Sequence, residues 1–173
     1  MPVWTRYFLI LTSLSTLALA RHPPDSTQPL SVFLGHWDGG GTFYATKLSK
    51  LDKVTSSGDC DWSPQHRYLL CEQTIHDSKG AHDQLTVFYP AGKAGEFSYQ
   101  TFQDGGAPHG SIMTIEGNVW TFQNTFSSDG IKTTVRTTNT FHGDQEAFRV
   151  EYSQDNGAHW TTMLDGELHR TKK

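Results

Sequence analysis

The sequence predicts an all-β fold, an antiparallel up-and-down β-barrel of about ten strands carrying a short N-terminal helix. Three observations predict it. Turn-forming clusters recur at the spacing of a meander: Asp77-Ser78-Lys79-Gly80, Pro90-Ala91-Gly92, Asp104-Gly105-Gly106, Glu116-Gly117-Asn118, Ser128-Asp129-Gly130, His142-Gly143-Asp144 and Asp155-Asn156-Gly157. The runs between them are too short for helices and, late in the chain, alternate with period two. The stretch Leu34-Gly35-His36-Trp37-Asp38-Gly39-Gly40-Gly41-Thr42 opens the first strand and gives it the glycines to bend sharply.

The elements follow in order. Residues 1–20 read as a secretory signal: Arg6 is the positive charge, Tyr7 to Leu19 is apolar but too short to span a bilayer, and Ala18-Leu19-Ala20 has the small-x-small form of a cleavage site after Ala20. The competing reading is an uncleaved anchor. A flexible segment, 21–29, leads into one barrel domain, 30–173. Gln28 to Leu34 is the helical candidate, because Pro29 can open a turn and Leu30, Phe33 and Leu34 share a face. Strands are expected near 37–46, 51–60, 67–76, 84–89, 96–103, 110–115, 118–127, 131–142, 146–154 and 159–169. Trp120, Phe122 and Phe126 alternate with Val119, Thr121 and Thr125, so the aromatic face is the inner one. Phe148, Val150 and Tyr152 form a second inner set, and Trp160, Thr162 and Leu164 a third. Val135 and Phe141 share their face with Thr133, Thr137 and Asn139, and Asn124 sits between Phe122 and Phe126, so the inner wall carries polar groups.

Charge excludes some partners. Losing 20 of 173 residues removes one charge, Arg6, and leaves 13 basic against 18 acidic side chains, a formal charge of −5. With its only basic cluster in the tail 170–173, the chain lacks the patch that nucleic acid or an anionic membrane needs, and after cleavage no membrane span remains. The two cysteines of an exported chain read as a disulfide. Cys60 and Cys71 flank the turn-forming Trp62-Ser63-Pro64-Gln65, and a hairpin there places them opposite each other. Ten intervening residues suit neither Cys-x-x-Cys redox chemistry nor a zinc site.

With Gly35-x-Trp37 opening the barrel and Arg170 just past the last expected strand, the chain resembles the calycin superfamily of lipocalins, fatty-acid-binding proteins and nitrobindins. The run from Phe33-Leu34-Gly35-x-Trp37 through Arg136-x-x-x-x-Phe141 to Glu151-x-Ser153-x-Asp155-x-Gly157-x-x-Trp160 is similar to the bacterial lipocalin-like domain of unknown function 1579. That resemblance implies a fold and no reaction. It also implies that Trp37 closes one end and packs against Arg170. Ser153-x-Asp155-x-Gly157-x-x-Trp160 has the form of an Asp box; a single copy is a hairpin device in which Ser153 and Asp155 bond turn amides, Gly157 takes positive φ and Trp160 covers the turn.

Nine histidines show no metal-ligand spacing, and no nucleophile elbow accompanies the serines. No metal and no cofactor is predicted. Resemblance to nitrobindins raises haem through His169, but His169 has the opposite parity to Leu164 and Leu168, so it faces solvent unless a bulge near Gly166 resets the register. The expected function is binding of a small apolar or amphipathic ligand inside a monomeric or weakly dimeric barrel. Trp120, Phe122 and Tyr152 supply apolar wall, and Tyr99, Asn124, Thr137 and Asn139 orient the polar end. An enzyme of haem or isomerase type and an envelope interaction module with a filled barrel are the alternatives. A buried charge or histidine in a cavity favours the first, a filled interior the second.

Overall fold

The computed structural model describes residues 27–93 and 95–171. The expected signal sequence, its cleavage site and 21–26 lie outside the described residues. Ten strands follow one another around a closed antiparallel barrel: β1 Gly35–Phe43, β2 Asp52–Trp62, β3 Leu69–Asp77, β4 Gly80–Pro90, β5 Glu96–Gln103, β6 His109–Glu116, β7 Val119–Ser128, β8 Ile131–His142, β9 Gln145–Ser153 and β10 Thr161–Thr171, which pairs back onto β1. Each expected run is a strand; from β3 onward the Gly and Asp clusters supply the positive φ that tight hairpins need, as at Gly80, Gly117, Asp129-Gly130 and Gly143.

The expected helix over Gln28 to Leu34 is corrected to a single 3-10 segment, Gln28–Phe33. Its bonds run from Leu30 N–H to Thr27 O (2.9 Å) and from Leu34 N–H to Ser31 O (3.2 Å). Six residues give an α-helix too few closing bonds, Pro29 donates none, and Leu34 is already extended. This segment plugs one end. Leu30 is fully buried, and the Phe33 ring lies 5.0 Å from those of Phe88, Trp120 and Phe141. Gly35, at φ 109°, turns the chain from plug into β1, and a Cβ there would meet the Arg170 side chain at 3.3 Å. Arg170 lies within β10, opposite Trp37, rather than just beyond the last strand. Its guanidinium stands 4.6 Å from the Trp37 ring and donates to Val32 O at 2.6 Å, while Trp37 Nε1–H donates to Phe33 O at 2.7 Å. Those contacts tie the plug to the first and last strands.

Elsewhere β1 and β10 approach so closely that a Cβ on Gly39 or Gly41 would lie within 2.4 Å of a β10 carbonyl oxygen. Gly41 pairs with Gly166, and the Phe148 ring sits over both. Parity holds on β7 to β9, but the inward set Trp160, Thr162 and Leu164 is corrected. A register shift between Thr162 and Leu164 leaves Leu164 opposite inward Val150 and puts Trp160 on the outer wall. There Arg136 stands 3.9 Å over the Trp160 ring and pairs with Glu151 at 2.8 Å. Phe126 is corrected too: pairing between β6 and β7 stops at Met113 and Phe122, and the Phe126 ring beyond it is half exposed.

Candidate functional site: an interior cavity with unpartnered acceptors

Above the plug the barrel is hollow. A cavity of about 300 Å³ lies between the aromatic floor and the open end, at the small end of the range for ligand pockets. Its floor and one wall are apolar: Phe33, Trp37, Phe88, Tyr99, Phe122 and Leu168. Large side chains project inward from β4, β5 and β7 at that height because consecutive strands bring inward residues into register, Phe88 opposite Tyr99 and Met113 opposite Phe122.

The opposite wall is polar and largely self-satisfied. On β2 to β5 a ladder of inward side chains bonds to itself: Gln73 Nε2 donates to Ser56, Gln84 Nε2 donates to Gln73 Oε1 at 3.1 Å, and the Thr86 and Thr101 hydroxyls share a bond of 3.0 Å. Beside it the directly paired Cys60 and Cys71 are joined by a disulfide, Cα to Cα 4.1 Å, that forms part of the lining.

Glu146 is different. Only 6% exposed, it lines the cavity from the start of β9, between Phe141 on β8 and Leu168 on β10. No side chain or backbone group among the described residues bonds its carboxyl, and burial alone pushes it up to about 7. Diagonal to it on β8, Asn139 also lines the cavity, and its Oδ1 is buried without a hydrogen-bond donor. Tyr99, pushed up by burial as well, lines the same cavity.

Of the seven ligand residues expected from sequence, Tyr99, Phe122, Thr137 and Asn139 line this cavity. Trp120, Asn124 and Tyr152 do not. Trp120 packs beneath it, against Phe33 at 5.0 Å and Phe97 at 6.0 Å. Asn124 and Tyr152 both pair with Val135, nearer the open end. Parity assigns a face; height along the barrel depends on register. Glu146 has the parity of Phe148, Val150 and Tyr152, so its inward direction was readable, and its isolation was not. His169 projects outward, 59% exposed beside Glu167, so it cannot ligate an interior haem. His109 is at the cavity's open edge, exposed.

The Asp-box turn 153–160 is a bonded hairpin. Ser153 Oγ donates to Asp155 Oδ1 (2.7 Å) and accepts from Gly157 N–H (2.9 Å); the His159 backbone and ring nitrogens lie 2.9 and 2.6 Å from the Asp155 oxygens. Those bonds, the His159 backbone first, hold Asp155 far below the usual carboxylate range. Gly157, at φ 91°, sits under Trp160.

No family model matches the chain, and no curated protein matches it in sequence. Among solved structures it is similar to Rv2717c from M. tuberculosis (TM-score 0.64, 14% identity over 87% of this chain and 100% of that one). It is also similar to the S-type phycobiliprotein lyase CPES from Guillardia theta (TM-score 0.59, 10% identity over 84% of this chain and 92% of that one). At these identities the likeness is one of fold, and the fold is the closed ten-stranded barrel of the lipocalin-like proteins.

Proposed function

We propose that this protein binds a small, partly apolar ligand inside the barrel. The observation that carries the reading is the cavity itself: aromatic floor on one side, bonded polar ladder on the other, and acceptors of Glu146 and Asn139 with no hydrogen-bond partner among the described residues. Buried polar groups are costly unless satisfied, and a ligand's polar end satisfies them. The hollow interior weighs against the filled-barrel interaction module. A likeness in fold to a phycobiliprotein lyase is compatible with an interior ligand and identifies none.

Within the lipocalin-like barrels we place the chain with the bacterial family of unknown function 1579. Support comes from the residues of that resemblance, since Arg136, Glu151 and Trp160 meet in one cluster on the outer wall. Export is part of the same proposal, supported by the disulfide, which suits an oxidising compartment.

The test is a titration with the neutral fluorescent probe N-phenyl-1-naphthylamine. Emission should rise on binding to wild type and fall at least tenfold in apparent affinity with Thr137→Phe, which fills the cavity. A probe that binds both proteins equally, or neither, overturns the reading.

A further inference from the structure

Resting on the interior-site reading, we propose that the cavity selects a protonated amine: an ammonium group on a small apolar skeleton, taken by the Glu146 carboxylate and Asn139 Oδ1 with aromatic faces around its carbon atoms. Four observations converge on this class. Glu146 is an acid at least nine-tenths buried, aimed into the cavity and bonded to nothing among the described residues, so it offers acceptors and no fixed countercharge. Asn139 Oδ1 on the neighbouring strand is a second vacant acceptor. Among the described residues no lysine or arginine lines the cavity, so an anionic headgroup meets no partner there, whereas a cation meets the Glu146 carboxylate. The rings of Phe33, Trp37, Phe88, Tyr99 and Phe122 suit a cation with hydrocarbon substituents, because ring faces attract positive charge.

Capture is linked to pH. Glu146 pairs with Phe141 on β8 and Leu168 on β10, and Asn139 and Arg170 lie diagonal to it on those strands. Arg170, the fixed charge among these neighbours, is engaged by Val32 O, Trp37 and Asp144 and forms no ion pair with Glu146. Tyr99 and His109 are the other titratable side chains on the cavity wall, and Glu72 reaches it only from an exposed position on the outward face of β3. In the free protein burial keeps Glu146 protonated up to about 7; an arriving ammonium favours the ionised form and expels that proton. Affinity therefore climbs as much as tenfold per pH unit between pH 5 and about 7, and levels above.

The experiment is calorimetric titration of the purified protein with three probes of one shape: 2-phenylethylamine, 2-phenylethanol and 3-phenylpropanoate, at pH 5, 6, 7 and 8. The amine should bind at least tenfold tighter than the alcohol at pH 8, the propanoate weakest. Glu146→Gln should bring amine and alcohol together and abolish the pH dependence, while His109→Gln leaves both in place. Near-UV circular dichroism confirms that each variant is folded, and Asn139→Leu, which removes the other acceptor, should lower amine affinity if Glu146→Gln fails to fold. An amine no tighter than the alcohol at pH 8, or a preference that survives Glu146→Gln, overturns the amine assignment and leaves an interior site standing. Failure of all three probes together with the naphthylamine overturns the interior site, and the amine assignment with it.

Discussion

At the residue scale, Glu146 is a stability liability kept in place by the fold. Burial raises its carboxyl from an ordinary 4.5 to about 7, which costs the charged form roughly 3 kcal/mol. The native state then holds the proton more tightly than the unfolded chain, so this group's contribution is fully present below about 4.5 and is lost as pH rises through about 7. Glu146→Gln should therefore be more stable than wild type at pH 8 by roughly 3 kcal/mol, with the difference vanishing near pH 4; urea unfolding at both pH values checks it. A variant equally destabilised at both would mean the carboxyl has a bonding partner. Arg170 works the other way. Its bond to Val32 O and its place over Trp37 hold the plug, so Arg170→Ala should cost about 2 kcal/mol and loosen the 3-10 segment. Protected amides at Leu30 and Leu34 in hydrogen exchange of that variant would contradict the role.

At the scale of elements, the strands were legible and their heights were not. Turn clusters marked the seven hairpins from β3 to β10, because each needs a positive φ that Gly, Asn or Asp tolerates. Alternation assigned the inner face on β7 to β9. It failed at Trp160 because the bulge between Thr162 and Leu164 inserts one residue, and a one-residue slip reverses every side chain before it. The helix failed because a six-residue segment leaves little room for α-type bonds. Trp120, Asn124 and Tyr152 failed as cavity residues for another reason: depth depends on where the plug ends and how far the β7–β8 hairpin extends, which no local pattern encodes. The Cys60–Cys71 disulfide closes a separation of 11 residues, so Cys60→Ser with Cys71→Ser should lose about 2 to 3 kcal/mol while the barrel persists. Denaturant unfolding with and without reductant measures it. On β1 and β10, Gly166→Ala should cost more than an ordinary strand substitution, since its Cβ would fall 2.2 Å from Gly40 O and 2.6 Å from the Phe148 ring. A melting temperature unchanged by Gly166→Ala would show that the two strands can separate there.

At the scale of the whole molecule, closure does two things at once. It leaves unpaired edge only where β6 and β7 part beyond Met113 and Phe122, and it surrounds a space that the plug seals at one end only. Large rings at the sealed end supply the buried apolar surface, which frees the middle of the barrel from being filled. The unsatisfied acceptors line that space beside the sealed end, opposite Phe141 and Trp120, in wall held by rigid paired strands rather than in loops. That placement, more than any single residue, is why the interior and not the outer surface is assigned as the site. The most direct measurement is backbone amide chemical-shift mapping of the protein titrated with N-phenyl-1-naphthylamine. Shifts concentrated at cavity residues Tyr99, Phe122, Thr137, Asn139 and Glu146, with Lys132 and Asp129 at the hairpin tip unmoved, are the predicted result. Shifts confined to loops and the outer wall would contradict an interior site.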